Sequence, residues 1–196
     1  MFTKPEMRFP SEVASVAREA YSRSQCIVEY GTGGSTALGG RNGRTDASWN
    51  GERCPMARSI ECIPANNPDH ESRDYFARRP RPTKQWGFPA SDEKWRAFPN
   101  YAFKPWQCVR ELSLEPDLVL IDKRFRAGCF LASALSVQRK TELLFDDYVD
   151  RPHYHWIEKY AKPKSLVGRM AIFEIDPISL QGSDVLEAAI ALHDPS

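Results

Sequence analysis

An excess of charge, a metal-binding cysteine pattern and a long hydrophobic run are all missing from this sequence of 196 residues. The 27 lysines and arginines nearly balance the 26 aspartates and glutamates, so the formal net charge is +1. This balance gives no sign of a nucleic-acid or anionic-membrane partner. No apolar run reaches membrane-spanning length, and the segment 1–21 lacks the apolar core of a signal peptide. We expect a cytoplasmic protein without a nucleic-acid or membrane partner.

The five cysteines are scattered and form no CxxC pair. Neither a zinc site nor a disulfide framework is therefore expected. Cys26 and Cys129 lie in apolar runs, which predicts that both are reduced core residues. His153 and His155 are two positions apart, a spacing that does not place both side chains on one face of a helix. No metal site is expected.

The length favours a single domain spanning residues 1–196. Strand-like and helix-like segments alternate along most of the chain, which predicts an α/β fold with a mostly parallel sheet covered on both faces by helices. The predicted elements are a helix at 11–23, strands at 26–30, 117–122 and 142–145, helices at 127–137 and 151–162, a strand or strand pair at 165–177, and a helix at 183–193.

Two segments depart from this alternation. Residues 41–82 are polar, rich in arginine and without a sustained apolar period, and the best local candidate for a regular element is the short stretch around 59–63. Residues 83–108 are rich in aromatic residues and proline, which predicts an ordered excursion rather than a regular element. Its aromatic side chains would either pin a surface loop by their burial or cover a cleft.

The stretch CIVEYGTGGST at 26–36 joins an apolar strand to a glycine turn. Gly31, Gly33 and Gly34 allow positive φ and close approach of a ligand. Ser35 and Thr36 are suitable N-cap residues for a following helix. The pattern fits an anion- or nucleotide-binding corner, and it fits equally well a plain turn of an α/β protein.

Polar groups follow three predicted strands: the glycine turn at 31–35, the segment 122–126 (DKRFR), and the segment 146–148 (DDY). In an open parallel sheet, ligands bind outside the carboxyl ends of the strands, so these groups predict one crevice. Acids at strand ends are also common loop caps. Arg124, Arg126 and Arg151 would either hold an anionic substrate or pair with these carboxylates.

The motifs VEYGTGGST, PDLVLIDKRFR, LLFDDY and RPHYHWIEKY together resemble the class I S-adenosylmethionine-dependent methyltransferases. More narrowly, the chain is similar to small bacterial methyltransferase-like proteins of undetermined substrate. The resemblance covers residues 1–40 and 83–180. It implies a Rossmann-like fold, S-adenosylmethionine as cofactor, and a small-molecule methyl acceptor.

Carried over by position, the resemblance implies a cofactor site at the first strand end, with the residues Glu29, Gly31, Thr32, Gly33 and Ser35. It implies that Asp122 and Asp146 face the methyl-transfer site. Candidates for a general base are Asp122, Asp146, Asp147 and His153, and Tyr148 would position the acceptor. Lys123 departs from the group, which usually has glycine at this position, and its long side chain would crowd or recharge the site.

The resemblance fails across 41–82, where the family has its second and third strands. We hypothesise that this segment is translated out of frame, because GERCPM at 51–56, shifted by one base, can spell ESDARW, an acid-ended strand roughly 20 residues past the glycine turn. The alternative is a divergent insertion in which Glu61 replaces the acid that binds the ribose.

Three functions remain open from the sequence. The first is a methyltransferase that acts on a small molecule and uses S-adenosylmethionine. The second is a catalytically inactive binding domain of methyltransferase shape, favoured by Lys123 and the altered segment. The third is a nucleotide- or sugar-phosphate-binding enzyme that uses the same glycine turn together with the arginines. Oligomeric state is not encoded in any recognisable pattern.

Overall fold

The structure, a computed structural model, describes residues 9–31, 60–62 and 88–196, and of 60–62 the backbone alone. Thr32, Gly33 and Ser35 lie outside these ranges, as does most of the segment to which the frame hypothesis applies. The described helices are α1 (Ser11–Arg23), α2 (Pro99–Glu111), α3 (Arg126–Ala134) and α4 (Ser183–His193), with 3₁₀ helices at Trp95–Ala97 and Pro152–Lys159. The strands are β1 (Cys26–Tyr30), β2 (Ile60–Cys62), β3 (Leu118–Ile121), β4 (Thr141–Phe145), β5 (Pro163–Val167) and β6 (Met170–Ile175).

The strands form one six-stranded sheet in the order β2-β1-β3-β4-β6-β5. Its centre is parallel, because β3 pairs in parallel with both β1 and β4. The outer strands are antiparallel: β2 on β1 at one side, and the β5–β6 pair on β4 at the other. The α/β fold class predicted from the alternation of strands and helices is confirmed, and so is the strand pair within 165–177.

The central strands are buried on both faces, as their continuous apolar runs predict. Alternate residues of β3 face opposite layers: Val119 and Ile121 join the larger core, and Leu118 and Leu120 join a smaller one. Three of the four described helices, α2, α3 and α4, contribute to the larger core, and α1 covers the other face through Val13, Ala17 and Ala20. This arrangement leaves the ends of the strands, rather than their faces, free to build a site.

The prediction that residues 83–108 hold no regular element is wrong for the second half of the segment, which forms α2. Pro99 occupies the first turn, where its missing N–H breaks no helical hydrogen bond. Tyr101 and Trp106 are buried against the sheet, and the Tyr30 hydroxyl accepts a 2.7 Å hydrogen bond from Trp106 Nε1 and donates one to the Ala102 carbonyl. Aromatic burial therefore stabilises this helix in spite of its two prolines.

Two further expectations are corrected. The helix predicted at 151–162 is the 3₁₀ helix Pro152–Lys159, whose tighter turns follow a proline at its start. Cys26 is disulfide-bonded and not reduced; its Cα lies opposite that of Cys62 in the antiparallel β1–β2 pair. The sequence does not indicate a disulfide, because its scattered cysteines match no disulfide pattern. Cys129 is a free, buried thiol, as predicted.

No helix within the described ranges is both long and apolar enough to cross a membrane.

Candidate functional site

The carboxyl ends of β1, β3 and β4 lie side by side at one edge of the sheet. The Asp122 N–H donates to the Tyr30 carbonyl at 3.0 Å, and the Asp146 N–H donates to the Ile121 carbonyl at 2.9 Å. The first residue after each strand is therefore held by the end of its neighbour. This parallel pairing brings Gly31, Asp122 and Asp146 together in that order, and we name this edge the carboxyl edge.

Gly31 occupies a position that a side chain would not tolerate. Its φ of +135° lies outside the range that L-residues normally adopt. A Cβ atom here would lie 2.6 Å from Cγ of Lys123 and 3.6 Å from Cβ of Asp122. We name Gly31, at the end of β1, the glycine corner. It borders the same space as the end of β3, and the aliphatic part of the Lys123 side chain lies directly over it.

Asp122 is the described group of the carboxyl edge whose acidity is most altered. The pKa of Asp122 is raised to about 7, mainly by burial; Lys123 and Arg126 oppose the rise, and the neighbouring Asp146 carboxylate adds to it. The Lys123 ammonium lies 3.4 Å from Oδ2 of Asp122, whose side chain is 17% exposed. A carboxyl group with a pKa near neutrality and partial access to solvent can take up or release a proton at physiological pH.

Asp146 has no exposed surface and is bound by an arginine from the β5–β6 turn. Arg169 donates from Nε to Oδ1 at 2.9 Å and from Nη2 to Oδ2 at 2.7 Å. Such a fork occupies both carboxylate oxygens and fixes their orientation. Asp146 is therefore held in place by Arg169, and its charge acts on the neighbouring Asp122.

Asp147 is surrounded by guanidinium groups and lies in the left-handed region at φ +56°. Its Oδ2 accepts from Arg126 at 2.8 Å and from Arg151 at 3.0 Å, and its Oδ1 lies 3.1 Å from Nε of Arg169. Of the two uses that the sequence left open for Arg126 and Arg151, the structure shows pairing with a strand-end carboxylate. These ion pairs connect the β4 loop to α3 and to the 3₁₀ helix 152–159.

The contacts of Tyr148 and His153 are with residues other than Asp122. The Tyr148 ring packs against Phe145 and Phe173, its hydroxyl donates to Glu158 at 2.9 Å, and burial is the main reason that its pKa is raised. His153 contacts the Tyr154 ring and lines a groove with Trp156 and Ile190; burial, and then the charge of Arg151, lower its pKa. Neither placement tests the roles that the resemblance implies for them.

Glu29 and Glu61, the other described candidates for cofactor binding, lie at different positions relative to the glycine corner. Glu29 is buried within β1 and accepts a 3.0 Å hydrogen bond from the Tyr21 hydroxyl of α1. The backbone of Glu61 pairs with Ile27, four residues before Gly31, because β2 runs antiparallel to β1. Its register position is therefore at the amino half of β1 and not beside the glycine corner.

Sequence reasoning did not identify Arg169, although it contacts both Asp146 and Asp147. The residue follows Gly168 in the tight β5–β6 turn, and its carbonyl accepts hydrogen bonds from the N–H groups of Tyr148 and Val149. A Gly-Arg pair between two strands is an ordinary hairpin turn by pattern. Only the antiparallel pairing of β6 with β4 brings it to the carboxyl edge.

The strand order, the parallel centre and the glycine corner define a Rossmann-like α/β protein, and the chain has a methyltransferase-like fold. It is similar over its whole length to a crystal structure of a methyltransferase-like protein from Silicibacter pomeroyi DSS-3. The two share 29% of their residues, the match covers 98% of this chain and 99% of that one, and the TM-score is 0.78. No protein-family profile matches the sequence, and no curated protein is significantly similar to it.

Proposed function

We propose that the protein is an S-adenosylmethionine-dependent methyltransferase whose acceptor is a small molecule. The observation that carries the proposal is the contact between the glycine corner and the end of β3, where Gly31 lies against Asp122 and Lys123. A corner without a Cβ next to an ionisable carboxyl suits a nucleoside cofactor with a reacting group beside it. The similar methyltransferase-like protein supports the same interpretation.

The described residues of the glycine corner fit S-adenosylmethionine in part. Gly31 leaves room for close approach, and Glu29 at the end of β1 is held by Tyr21. When bound, the cofactor supplies a methyl group already activated by a sulfonium. The chain then aligns the acceptor and removes its proton. Asp122 is the preferred base, because its pKa is about 7, whereas the oxygens of Asp146 and Asp147 are occupied by arginines.

A second candidate is an inactive binding domain with the same fold, and two observations favour it. The Lys123 stem lies over Gly31, where the methionine part of a cofactor would approach. The second strand, β2, is antiparallel to β1, whereas a doubly wound nucleotide fold has a parallel strand there. Both features reduce the space and the polar groups available to a nucleoside.

Isothermal titration with S-adenosylhomocysteine separates the two candidates. The chain and its Lys123→Gly variant are each titrated, with Lys104→Gly, an exchange on the exposed side of α2, as the matched control. Micromolar binding by the unmodified chain, tighter in Lys123→Gly and unchanged in the control, supports the methyltransferase. If neither the unmodified chain nor Lys123→Gly releases heat on titration, the inactive domain is supported. A preference for a phosphorylated nucleotide supports the third function that the sequence left open.

A further inference from the structure

We infer that Arg124 and Arg126 form a subsite that binds the carboxylate or phosphate group of the methyl acceptor. This inference deepens the proposed function and rests on it for the identity of the ligand as an acceptor. Arg124 lies between Asp122, the proposed base, and α3, and Arg126 is the first residue of α3. A ligand held by them would therefore lie beside the carboxyl edge.

The backbone of Arg124 is fixed on both sides. Its N–H donates to the Tyr101 hydroxyl at 3.3 Å, and its carbonyl accepts from the Cys129 thiol at 3.6 Å. The guanidinium carbon lies 4.2 Å from the centre of the Phe88 ring. Stacking on a ring leaves the donors of a guanidinium in its own plane, where a carboxylate or phosphate binds.

The side chain of Arg124 is buried without a counter-charge. It is 8% exposed, its Nε has no hydrogen-bond partner, and no carboxylate of the described residues lies within ion-pair distance of it. Arg126, 3% exposed, binds Asp147 and Tyr154 through its Nη atoms, but its Nε also has no hydrogen-bond partner. Burying a guanidinium without a counter-charge is unfavourable, and an anion that accepts hydrogen bonds from it offsets much of that cost.

The charges near Arg124 also favour an anion. Burial, followed by repulsion from Arg126, lowers the pKa of Arg124, and Arg151 adds to that repulsion while Asp147 opposes it. Asp147 cannot neutralise the group, because it is already bound by Arg126, Arg151 and Arg169. The surplus of positive charge is therefore concentrated at Arg124.

The test uses inorganic phosphate and succinate as probes, each titrated into the full chain at constant ionic strength. Arg124→Gln is compared with Arg139→Gln, in which a side chain 57% exposed and far from the carboxyl edge is changed. We expect one or both probes to bind the unmodified chain and to shift the side-chain Nε–H signals of Arg124 and Arg126. Arg124→Gln should weaken the probe at least about tenfold, as for one lost charge-assisted hydrogen bond, and the control should not.

The anion subsite and the methyltransferase proposal can be refuted independently, because anion binding and S-adenosylhomocysteine binding are measured separately. Binding of neither probe, or equal binding by Arg124→Gln, overturns the subsite and leaves the methyltransferase proposal intact. Anion binding through Arg124 without any S-adenosylhomocysteine binding keeps the subsite and removes the methyl-transfer role. If Arg124→Gln does not fold by circular dichroism, Arg124→Lys replaces it. That variant keeps the charge but loses Nε–H, and unchanged affinity in it would overturn the assignment.

Discussion

Gly31 and Lys123 are in direct contact at the carboxyl edge: a methyl group in place of the glycine hydrogen would lie 2.6 Å from Cγ of the lysine. The contact joins the end of β1 to the residue after Asp122. Any change of volume at either position is therefore felt by the other. The pair determines both the shape of the corner and the space that a cofactor would have.

We predict that Gly31→Ala destabilises the protein by about 1–3 kcal/mol, because alanine is strained at φ +135° and meets the Lys123 stem. In the Lys123→Gly background, Gly31→Ala no longer causes a steric clash with the lysine, so only the backbone strain contributes to the destabilisation. Urea unfolding of the four proteins of this double-mutant cycle measures the coupling. Strictly additive losses would show that the two residues do not touch in solution.

We predict that Asp122→Asn alters the dependence of stability on pH. The folded chain retains a proton on Asp122 up to about pH 7, whereas the unfolded chain releases it near 3.8, the ordinary pKa of an aspartate. Stability from this group is therefore complete at low pH and is lost as pH rises between these values. At pH 8 the variant should be more stable than the unmodified chain by on the order of 2–4 kcal/mol, and near pH 3 by much less.

Urea unfolding between pH 3 and pH 9 measures this difference, with the exposed Asp92→Asn as the matched control. The control should follow the unmodified chain throughout. Methyl transfer, if it occurs, should rise through pH 7 in the unmodified chain and lose that rise in Asp122→Asn. A constant difference between Asp122→Asn and the unmodified chain across the pH range would show that Asp122 titrates normally.

Much of this edge could be predicted from the sequence, because its strands are continuous apolar runs. Parallel strands place their carboxyl ends together, so the positions of Asp122 and Asp146 follow once β3 and β4 are recognised. Arg169 could not be found in this way, because its contact with Asp146 depends on the antiparallel return of β6. The sequence does not indicate α2, because the stabilising burial of Trp106 against Tyr30 is a tertiary contact and the segment holds two prolines.

We predict that Arg169→Met destabilises the protein by about 2–3 kcal/mol. The change leaves the fully buried Asp146 carboxylate without its two guanidinium hydrogen bonds, and the figure is below that for a wholly buried pair because Arg169 is 34% exposed. The double variant Arg169→Met, Asp146→Asn should recover part of the loss, since it removes the buried charge. Guanidinium chloride unfolding tests both, and Arg139→Met serves as the exposed control. Equal stability of Arg169→Met and the unmodified chain would show that Asp146 is solvated.

We predict that Tyr148→Phe, at the end of β4, lowers the stability of the fold but leaves cofactor affinity unchanged. The hydroxyl donates to Glu158 inside the packing of Phe145 and Phe173, so its loss should cost about 1 kcal/mol of stability. Affinity for S-adenosylhomocysteine should not change. A fall in the methyl-transfer rate larger than the loss of stability explains would instead support the acceptor-positioning role that the resemblance implies for Tyr148.

The direction of β2 gives a prediction about the gene. If residues 41–82 are read out of frame, restoring the frame supplies an acid-ended second strand that pairs in parallel with β1, as in other doubly wound nucleotide folds. The present β2 is antiparallel, and its Glu61 backbone lies opposite Ile27 rather than beside Gly31. We therefore expect the repaired chain to bind S-adenosylhomocysteine more tightly than the present chain.

Two measurements decide whether residues 41–82 are read out of frame or are a genuine insertion. Resequencing the gene should show a missing or added base on each side of the segment. A chain in which 41–82 is replaced by a glycine-serine linker of equal length controls for mere removal of the present residues. If the linker chain gains affinity as much as the repaired one, the present segment only blocks the corner. If the repaired chain alone gains affinity, the restored strands, including the acid-ended second strand, contribute to binding.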